Sequence, residues 1–290
     1  MRRFLTGLLA ASLCLAGVPA SAGTKEDVAS FVQPTQEGRL AALEALLRRE
    51  GLAYEIQTFA GGPAGKPMQG GNVVVTLGKG KRDILLTAHY DAKVLKDGTL
   101  AGAVVDNAAS VVAIIQAARQ LKPGAMKHRL RIVFFDQEEL GLLGAKAYAA
   151  GPDGRRVAAV INFDVNGYGD TPFFADPTDP ALAKAVRHAC LAAGEDCLAF
   201  GAYPPSDHLA FRKAGVPETS ISYLPAREAH QLWLFTHAGK TSGLEPDFMP
   251  RVLGLIHTPG DTMAAVEPAT VERASELAVE LVKAADKAVK

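Results

Sequence analysis

Apolar positions change their spacing in a regular way along this chain after residue 70. Short runs rich in Val, Ile, Leu and Phe, typical of buried strands, alternate with stretches whose apolar residues recur every three or four positions, typical of helices. The predicted strands are 72–77, 83–87, 130–135, 157–163 and 219–223. The predicted helices are 108–121, 140–150, 181–193, 207–214 and 271–287, with an earlier one carrying Leu40, Leu43 and Leu47 on one face.

This alternation predicts the α/β class, with a single domain whose central mixed, mostly parallel β-sheet is flanked by helices on both faces. Ligands of such sheets bind at the carboxyl ends of the strands, so functional groups are expected there. Segment 224–254, which holds Trp233, follows neither spacing and is predicted to be irregular. Long irregular segments in compact domains are often functional.

The first residues have the features of an export signal. Arg2 and Arg3 precede an apolar stretch that ends near Val18 and is too short to span a bilayer, and small residues then offer a cleavage site. We predict a secretory signal peptide over residues 1–22 and one domain over residues 23–290. The protein would then be periplasmic or extracellular, although a buried N-terminal helix is an alternative interpretation.

Two cysteines, Cys190 and Cys197, follow the predicted cleavage site. In an exported protein such a pair favours a disulfide, and two buried free thiols are the alternative. The whole chain has 31 basic and 31 acidic residues, and no run of like charge stands out. This balance excludes a basic surface for nucleic acid, and no later segment is apolar enough for a membrane span.

Polar residues suited to metal binding follow predicted strands or open predicted turns in five places. The segments are His89-Tyr90-Asp91, Gly102 to Asn107 with Asp106, Phe134 to Gly144 with Glu138 and Glu139, Asn162-Phe163-Asp164, and His257 to Thr262. Each has an ordinary interpretation: a structural histidine, a helix N-cap at Asp106, or a solvated helix start at the glutamate pair. Together, two histidines and several carboxylates without cysteine suit a catalytic zinc pair.

The order of these motifs resembles the bacterial leucyl aminopeptidase family of co-catalytic zinc metallopeptidases, from about residue 72 to the end of the chain. The matching motifs are His89-x-Asp91, Gly102-Ala103-x-x-Asp106-Asn107, Glu138-Glu139-x-Gly141-Leu142-x-Gly144, Asn162-x-Asp164 and His257-Thr258-x-x-Asp261-Thr262. The resemblance implies a zinc-dependent peptidase domain that removes N-terminal residues from peptides with a free N-terminus. The oligomeric state stays open, with a monomer expected.

The resemblance also implies a role for each matched residue. His89 and Asp164 would hold one Zn²⁺, Glu139 and His257 a second, and Asp106 would bridge the two ions. Glu138 would be the general base toward a metal-activated water, and Asp91 would support His89. A cis peptide bond between Asp106 and Asn107 is implied as well.

Two other functions use the same fold. A glutaminyl cyclase, an aminoacyltransferase with a single zinc, shares the His-Tyr-Asp motif, but Asp106-Asn107 and His257-Thr258-Pro259 look more like the peptidase pattern. A catalytically inactive peptide-binding module is the other alternative, against which the complete ligand set argues. Among the remaining histidines, His128 and His188 are predicted to lie on the surface, and His208 to be structural.

Overall fold

Eight strands form one mixed sheet in the computed structural model, which describes residues 23–62 and 68–290. The strand order is β1-β2-β4-β3-β5-β8-β6-β7, and the central neighbours β4, β3, β5 and β8 run parallel. The strands are β1 Tyr54–Gly61, β2 Met68–Leu77, β3 Asp83–His89, β4 Arg129–Phe135, β5 Val157–Phe163, β6 Thr171–Ala175, β7 Leu198–Phe200 and β8 Glu218–Leu224. The parallel strands bring the polar residues that follow them to one edge of the sheet.

Helices cover both faces of this sheet. They are α1 Thr24–Ala29, α2 Gln36–Arg49, α3 Ala109–Gln120, α4 Leu143–Ala150, α5 Pro180–Ala192, α6 His208–Lys213, α7 Ala226–His237, α8 Arg251–Leu255 and α9 Pro268–Ala288. Successive side chains of a strand point to opposite faces. Ile84 and Leu86 therefore pack with α2, α3, α5 and α9, whereas Leu85 packs with α4 and α6.

Every strand and helix predicted from periodicity is present, and the single-domain α/β class is confirmed. Three strands were not predicted, namely β1, β6 and β7. The edge strand β1 is mostly exposed, so its side chains lack a clear apolar pattern, and β6 and β7 are only 5 and 3 residues long.

Segment 224–254 is not irregular throughout, as the sequence had suggested. It contains α7, α8 and a short 3₁₀ turn at Gly239–Thr241. Within α7 only Ala229 and Leu232 are buried, so most of its side chains lie outside the protein core.

The surface position predicted for His128 is wrong. His128 is buried, and its Nδ1 lies 2.9 Å from Asp286 Oδ1, which also accepts a hydrogen bond from the His128 backbone N–H. The contact ties the start of β4 to the end of α9. His188 is exposed, as predicted.

Cys190 and Cys197 form a disulfide, with their Cα atoms 6.0 Å apart across the end of α5. The predicted signal peptide, residues 1–22, lies outside the described residues. Within the described ranges, the helices lack the combination of length and apolar character that crossing a bilayer requires.

Candidate metal centre

Two groups of potential metal ligands meet at the carboxyl ends of β3, β4 and β5. In the first group, His89 is the last residue of β3 and is 1% exposed. Its Nε2 lies 3.0 Å from Asp106 Oδ1 and 3.3 Å from Asp164 Oδ1. Asp164 directly follows β5, so the sheet itself sets the distance between two of these three side chains.

The second group is built around the other oxygen of Asp106. His257 Nε2 lies 3.0 Å from Asp106 Oδ2 and 3.0 Å from Glu139 Oε1. The two groups therefore share Asp106, and within each group the candidate ligand atoms lie within 4.8 Å of one another. We call His89, Asp106, Glu139, Asp164 and His257 the ligand cluster.

The chemistry of the ligand cluster fits cations. Burial would raise the pKa of Asp106, but hydrogen bonds from His257 and His89 hold it below its ordinary value. Hydrogen bonds to Asp106 and Glu139 raise the pKa of His257 to about 10. The carboxylates therefore attract positive charge, here that of the protonated imidazoles. The buried Asp164 Oδ1 accepts no hydrogen bond among the described residues. Nitrogen and oxygen ligands in this number suit zinc.

Asp91 contacts two segments of the ligand cluster. Its Oδ1 lies 3.3 Å from His89 Nδ1, where a carboxylate orients the imidazole. The same carboxylate accepts hydrogen bonds from the backbone N–H groups of Glu138, at 3.1 Å, and Glu139, at 3.2 Å. Asp91 therefore fixes the position of His89 relative to the adjacent glutamates.

The turn that carries Asp106 is held by Asp261, four residues after His257. The Asp261 carboxylate is 0% exposed and accepts hydrogen bonds from the backbone N–H groups of Val104, Val105 and Asp106, at 3.1, 2.8 and 3.1 Å. The peptide bond between Asp106 and Asn107 is cis, as the family resemblance implies. One carboxylate thus connects the two loops that provide Asp106 and His257.

Glu138 belongs to neither ligand group but lies close to the carboxylates of Asp164 and Asp106. Burial raises the pKa of its carboxyl to about 10, with the carboxylates of Asp207, Asp164 and Asp106 adding to the effect and His89 opposing it. A carboxylate in this environment binds a proton more tightly than one in water. Glu138 and Glu139 are adjacent in sequence, but only the side chain of Glu139 belongs to a ligand group.

An apolar pocket opens beside the ligand cluster, with Asp106, Glu138, Asp164 and His257 along its rim. We call its main apolar residues the pocket wall: Phe173, Tyr203, Leu232, Val252 and Ile256. The rings of Phe173 and Tyr203 lie 5.5 Å apart, and the Tyr203 hydroxyl bonds to Ser222. A largely apolar cavity with a few polar groups at one end is typical of a small-ligand site.

The structure brings every residue of the predicted site together, because the five ligands, Asp91 and Glu138 all lie around this one centre. Several neighbours were not predicted from the sequence. Asp207 is fully buried beside Glu138, and burial raises its pKa well above the ordinary value. Lys93 Nζ lies 3.4 Å from Glu139 Oε2. The sequence analysis singled out His208 but not the adjacent Asp207, and His208 lies outside the ligand cluster.

A family model described as peptidase family M28 matches residues 72–282. The matched range contains the whole ligand cluster, Asp91 and Glu138. The chain belongs to peptidase family M28. Helix α2 and strand β1 lie before the part of the chain that this M28 model covers.

Among curated relatives, a probable leucine aminopeptidase from Trichophyton verrucosum is 25% identical over 219 residues. That match covers 70% of this chain but 54% of the relative, so the chain spans about half the length of that protein. The aminopeptidase YwaD of Bacillus subtilis is 25% identical over 163 residues, which are 53% of this chain and 35% of YwaD.

Solved structures share the fold over more of the chain. A zinc-dependent exopeptidase from Parabacteroides distasonis superposes with a TM-score of 0.68 at 20% identity, over 90% of this chain and 96% of the other. A glutaminyl cyclase from Bacteroides thetaiotaomicron superposes with a TM-score of 0.66 at 18% identity, over 89% and 94%. At these identities the superpositions establish the fold, and the choice between hydrolysis and cyclisation depends on the site.

Proposed function

We propose that this protein is a zinc-dependent aminopeptidase that hydrolyses N-terminal residues from peptides. The observation that carries the proposal is the pair of ligand groups that share Asp106, next to an apolar pocket that Glu138 also lines. Membership of peptidase family M28 supports hydrolysis of a peptide bond.

Two zinc ions are proposed, one for each ligand group. His89 and Asp164 would hold the first ion, Glu139 and His257 the second, and Asp106 would contribute one carboxylate oxygen to each. Bound zinc supplies Lewis acidity, which lowers the pKa of water toward neutrality and polarises a carbonyl oxygen. A bridging carboxylate is the feature that distinguishes a two-ion centre from two separate sites.

Glu138 is the proposed general base. Its carboxyl lines the pocket beside the ligand groups, a position suited to removing a proton from the attacking water and delivering that proton to the leaving amine. The two proposed Zn²⁺ ions would oppose the effect of burial on its pKa and favour the ionised form, which can accept a proton. Asp91 keeps Glu138 in place through the backbone N–H and orients His89 with the same carboxylate. We therefore assign Asp91 a supporting role in catalysis.

The pocket wall is proposed to bind the side chain of the substrate's N-terminal residue. Its surface is apolar, so an aliphatic or aromatic side chain would gain from leaving water. Asp106, Glu138 and Asp164 line the same pocket, so the α-amino group of such a substrate would lie next to the proposed metal centre. This combination favours substrates with a free N-terminus and an apolar first residue.

Export is also proposed, with residues 1–22 as a removable signal peptide and 23–290 as the mature zinc-dependent peptidase domain. The Arg2-Arg3 start, the short apolar stretch and the disulfide support this interpretation. N-terminal sequencing of protein recovered from the periplasm or medium should begin at Gly23, and a chain that retains Met1 would contradict it.

One set of measurements tests the proposed activity. Zinc content of the purified protein should approach two ions per chain, and leucyl and phenylalanyl anilides should be cleaved faster than glutamyl anilide. An N-terminal glutaminyl peptide should be hydrolysed and not cyclised. One zinc with cyclisation of that peptide would support the cyclase function, and absence of bound metal and turnover would support an inactive peptide-binding module.

A further inference from the structure

Arg39, on the first turn of α2, is the largest fully buried side chain of the described protein and is 0% exposed. Its guanidinium donates hydrogen bonds only to backbone carbonyl oxygens. Nε bonds to Tyr90 at 2.7 Å, Nη1 to Phe31 at 2.8 Å and Gly102 at 3.3 Å, and Nη2 to Ala103 at 3.3 Å. No carboxylate of the described residues pairs with it directly, which is unusual for a buried charge.

Three of the four carbonyls belong to segments that carry proposed metal ligands. Tyr90 lies between His89 and Asp91, and Gly102 and Ala103 open the turn that leads to Asp106. A planar guanidinium has five N–H donors in a fixed arrangement, so it holds several acceptors at defined angles. Arg39 therefore joins the backbone of the His89 segment to the backbone of the Asp106 turn.

A second residue of α2 forms hydrogen bonds with the His89 segment. Gln36, one helical turn before Arg39, donates a hydrogen bond from Nε2 to the Ala92 carbonyl at 2.6 Å. Its Oε1 accepts a hydrogen bond from the Ala92 backbone N–H at 3.1 Å. Gln36 and Arg39 are three positions apart and so share one face of the helix. The start of α2 is thus bonded to residues on both sides of Asp91.

The charge of Arg39 suits its surroundings. Burial lowers the pKa of its guanidinium to about 10, while the nearby carboxylates of Asp91, Asp106, Asp261 and Glu139 oppose that effect. The side chain therefore stays protonated at neutral pH. From the opposite side, Asp261 accepts the N–H groups of residues 104–106, so two buried opposite charges hold the two ends of the Asp106 turn.

We infer that Arg39 is a positioning residue for the metal centre, fixing the His89 and Asp106 segments relative to each other before metal binds. The inference rests on the proposed zinc function, and it assigns a role to a helix that precedes the 72–282 family match. Arg39 does not line the pocket and donates hydrogen bonds only to backbone carbonyls, so it acts through the backbone that carries the ligand side chains.

A conservative substitution separates geometry from charge. A buried cation near two Zn²⁺ ions disfavours metal electrostatically, so removing the charge would mask the loss of positioning. Arg39→Lys retains the charge, but a single ammonium cannot serve four carbonyls in the same planar arrangement. Any loss of zinc affinity in Arg39→Lys therefore reports the geometry of the two segments.

Arg131→Lys is the matched control. Arg131 is also buried, but it lies within β4 and pairs with Glu55 and Asp153, away from the ligand cluster. Both substitutions shorten a buried arginine and should lower the thermal stability of the metal-free protein. Only Arg39→Lys should alter the metal centre.

The test is zinc titration of the metal-free proteins against a chelating indicator, with the visible spectrum of the cobalt-substituted proteins and the separate kcat and KM values. We expect Arg39→Lys to weaken zinc binding by roughly 10–100-fold, the usual effect of losing an outer support of a metal site. Its cobalt spectrum should change, and kcat should fall with little change in KM. Arg131→Lys should match the wild type in all three.

The outcomes distinguish the inference from the proposed function. Wild-type zinc affinity and cobalt spectrum in Arg39→Lys would overturn the positioning role alone, as would an equal loss of affinity in Arg131→Lys. Failure of the wild-type protein itself to bind zinc would overturn the proposed function, and the positioning role with it.

Discussion

The ligand cluster and the pocket wall lie side by side but are built by different forces. The ligand cluster is fixed by directional polar contacts, including those of Asp91 and Asp261 with backbone N–H groups. The pocket wall is fixed mainly by packing, for example of Phe173 on Phe200 with ring centroids 4.6 Å apart. Apolar packing tolerates exchanges of similar volume, whereas a charged hydrogen-bond network does not.

This contrast separates reaction chemistry from substrate choice. Four residues of the ligand cluster lie at or after the ends of β3, β4 and β5, and the fifth, His257, follows α8; Leu232 and Val252 of the pocket wall lie within α7 and α8. We therefore expect substitutions at the metal centre to change the turnover number, and substitutions in the pocket wall to change the preference among substrates. Each prediction below tests that separation.

The largest effect is expected from Glu138→Gln, which keeps the size of the side chain but removes its capacity to accept a proton. The turnover number should fall by roughly 10²–10⁴, the scale for a positioned acid–base group. Zinc content and the order of preference among aminoacyl anilides should stay as in the wild type. Near-normal kcat would remove Glu138 from the chemistry.

Glu139→Gln is the matched control, since it makes the same chemical change at the adjacent position. Glu139 Oε1 lies 3.0 Å from His257 Nε2 within the ligand cluster, so this variant should lose zinc first. Excess zinc should restore part of its activity, whereas Glu138→Gln should not respond. Identical behaviour of the two variants would contradict their separate roles.

A smaller effect, on preference, is expected from Leu232→Ala in the pocket wall. Removing apolar surface that would contact the substrate should lower kcat/KM for leucyl anilide by about 10-fold, within the range for lost methylene contacts. Alanyl anilide, which does not fill the pocket, should be much less affected. Leu255→Ala, in the same apolar cluster but outside the pocket, controls for loss of packing. Equal losses on both substrates would argue against a side-chain pocket here.

Sequence reasoning reached the ligand cluster because strand ends are easy to locate and because His89, Asp106, Glu139, Asp164 and His257 occur in ordered motifs. Buried strands such as β5 consist almost entirely of apolar residues, and their boundaries were predicted closely. Parallel pairing then brings their carboxyl ends to one edge without further information.

The pocket wall could not be predicted in the same way, nor could the roles of Asp261 and Arg39, which hold the ligand cluster in place. Leu232 lies in α7 and Val252 in α8, which has only 5 residues, and the placement of both helices depends on contacts distant in sequence. The role of Asp261 depends on three backbone N–H groups more than 150 residues away, and that of Arg39 on carbonyls of separate turns. A hydrogen bond between a side chain and a backbone group distant in sequence produces no recognisable pattern in the amino-acid sequence.

A last test, of stability and not of activity, concerns His208, which lies where the two regions meet. It follows Asp207, the neighbour of Glu138, and its ring packs edge-on against Tyr203 of the pocket wall at 5.5 Å. Both ring nitrogens are buried without hydrogen-bond partners among the described residues. Burial lowers the pKa of His208 to about 3, from an ordinary value of 6.5, so the folded protein keeps this imidazole neutral.

The sign of the resulting pH dependence follows from proton binding. Between pH 6.5 and about 3 the unfolded chain protonates this histidine and the folded protein does not. The free energy of unfolding should therefore fall with decreasing pH, by up to about 1.4 kcal/mol per pH unit from this group. His208→Gln, neutral at every pH, should reduce that slope in urea unfolding measured from pH 7 to 4. The exposed His188→Gln should leave the slope unchanged, and an unaltered slope in His208→Gln would show that His208 titrates normally in the fold.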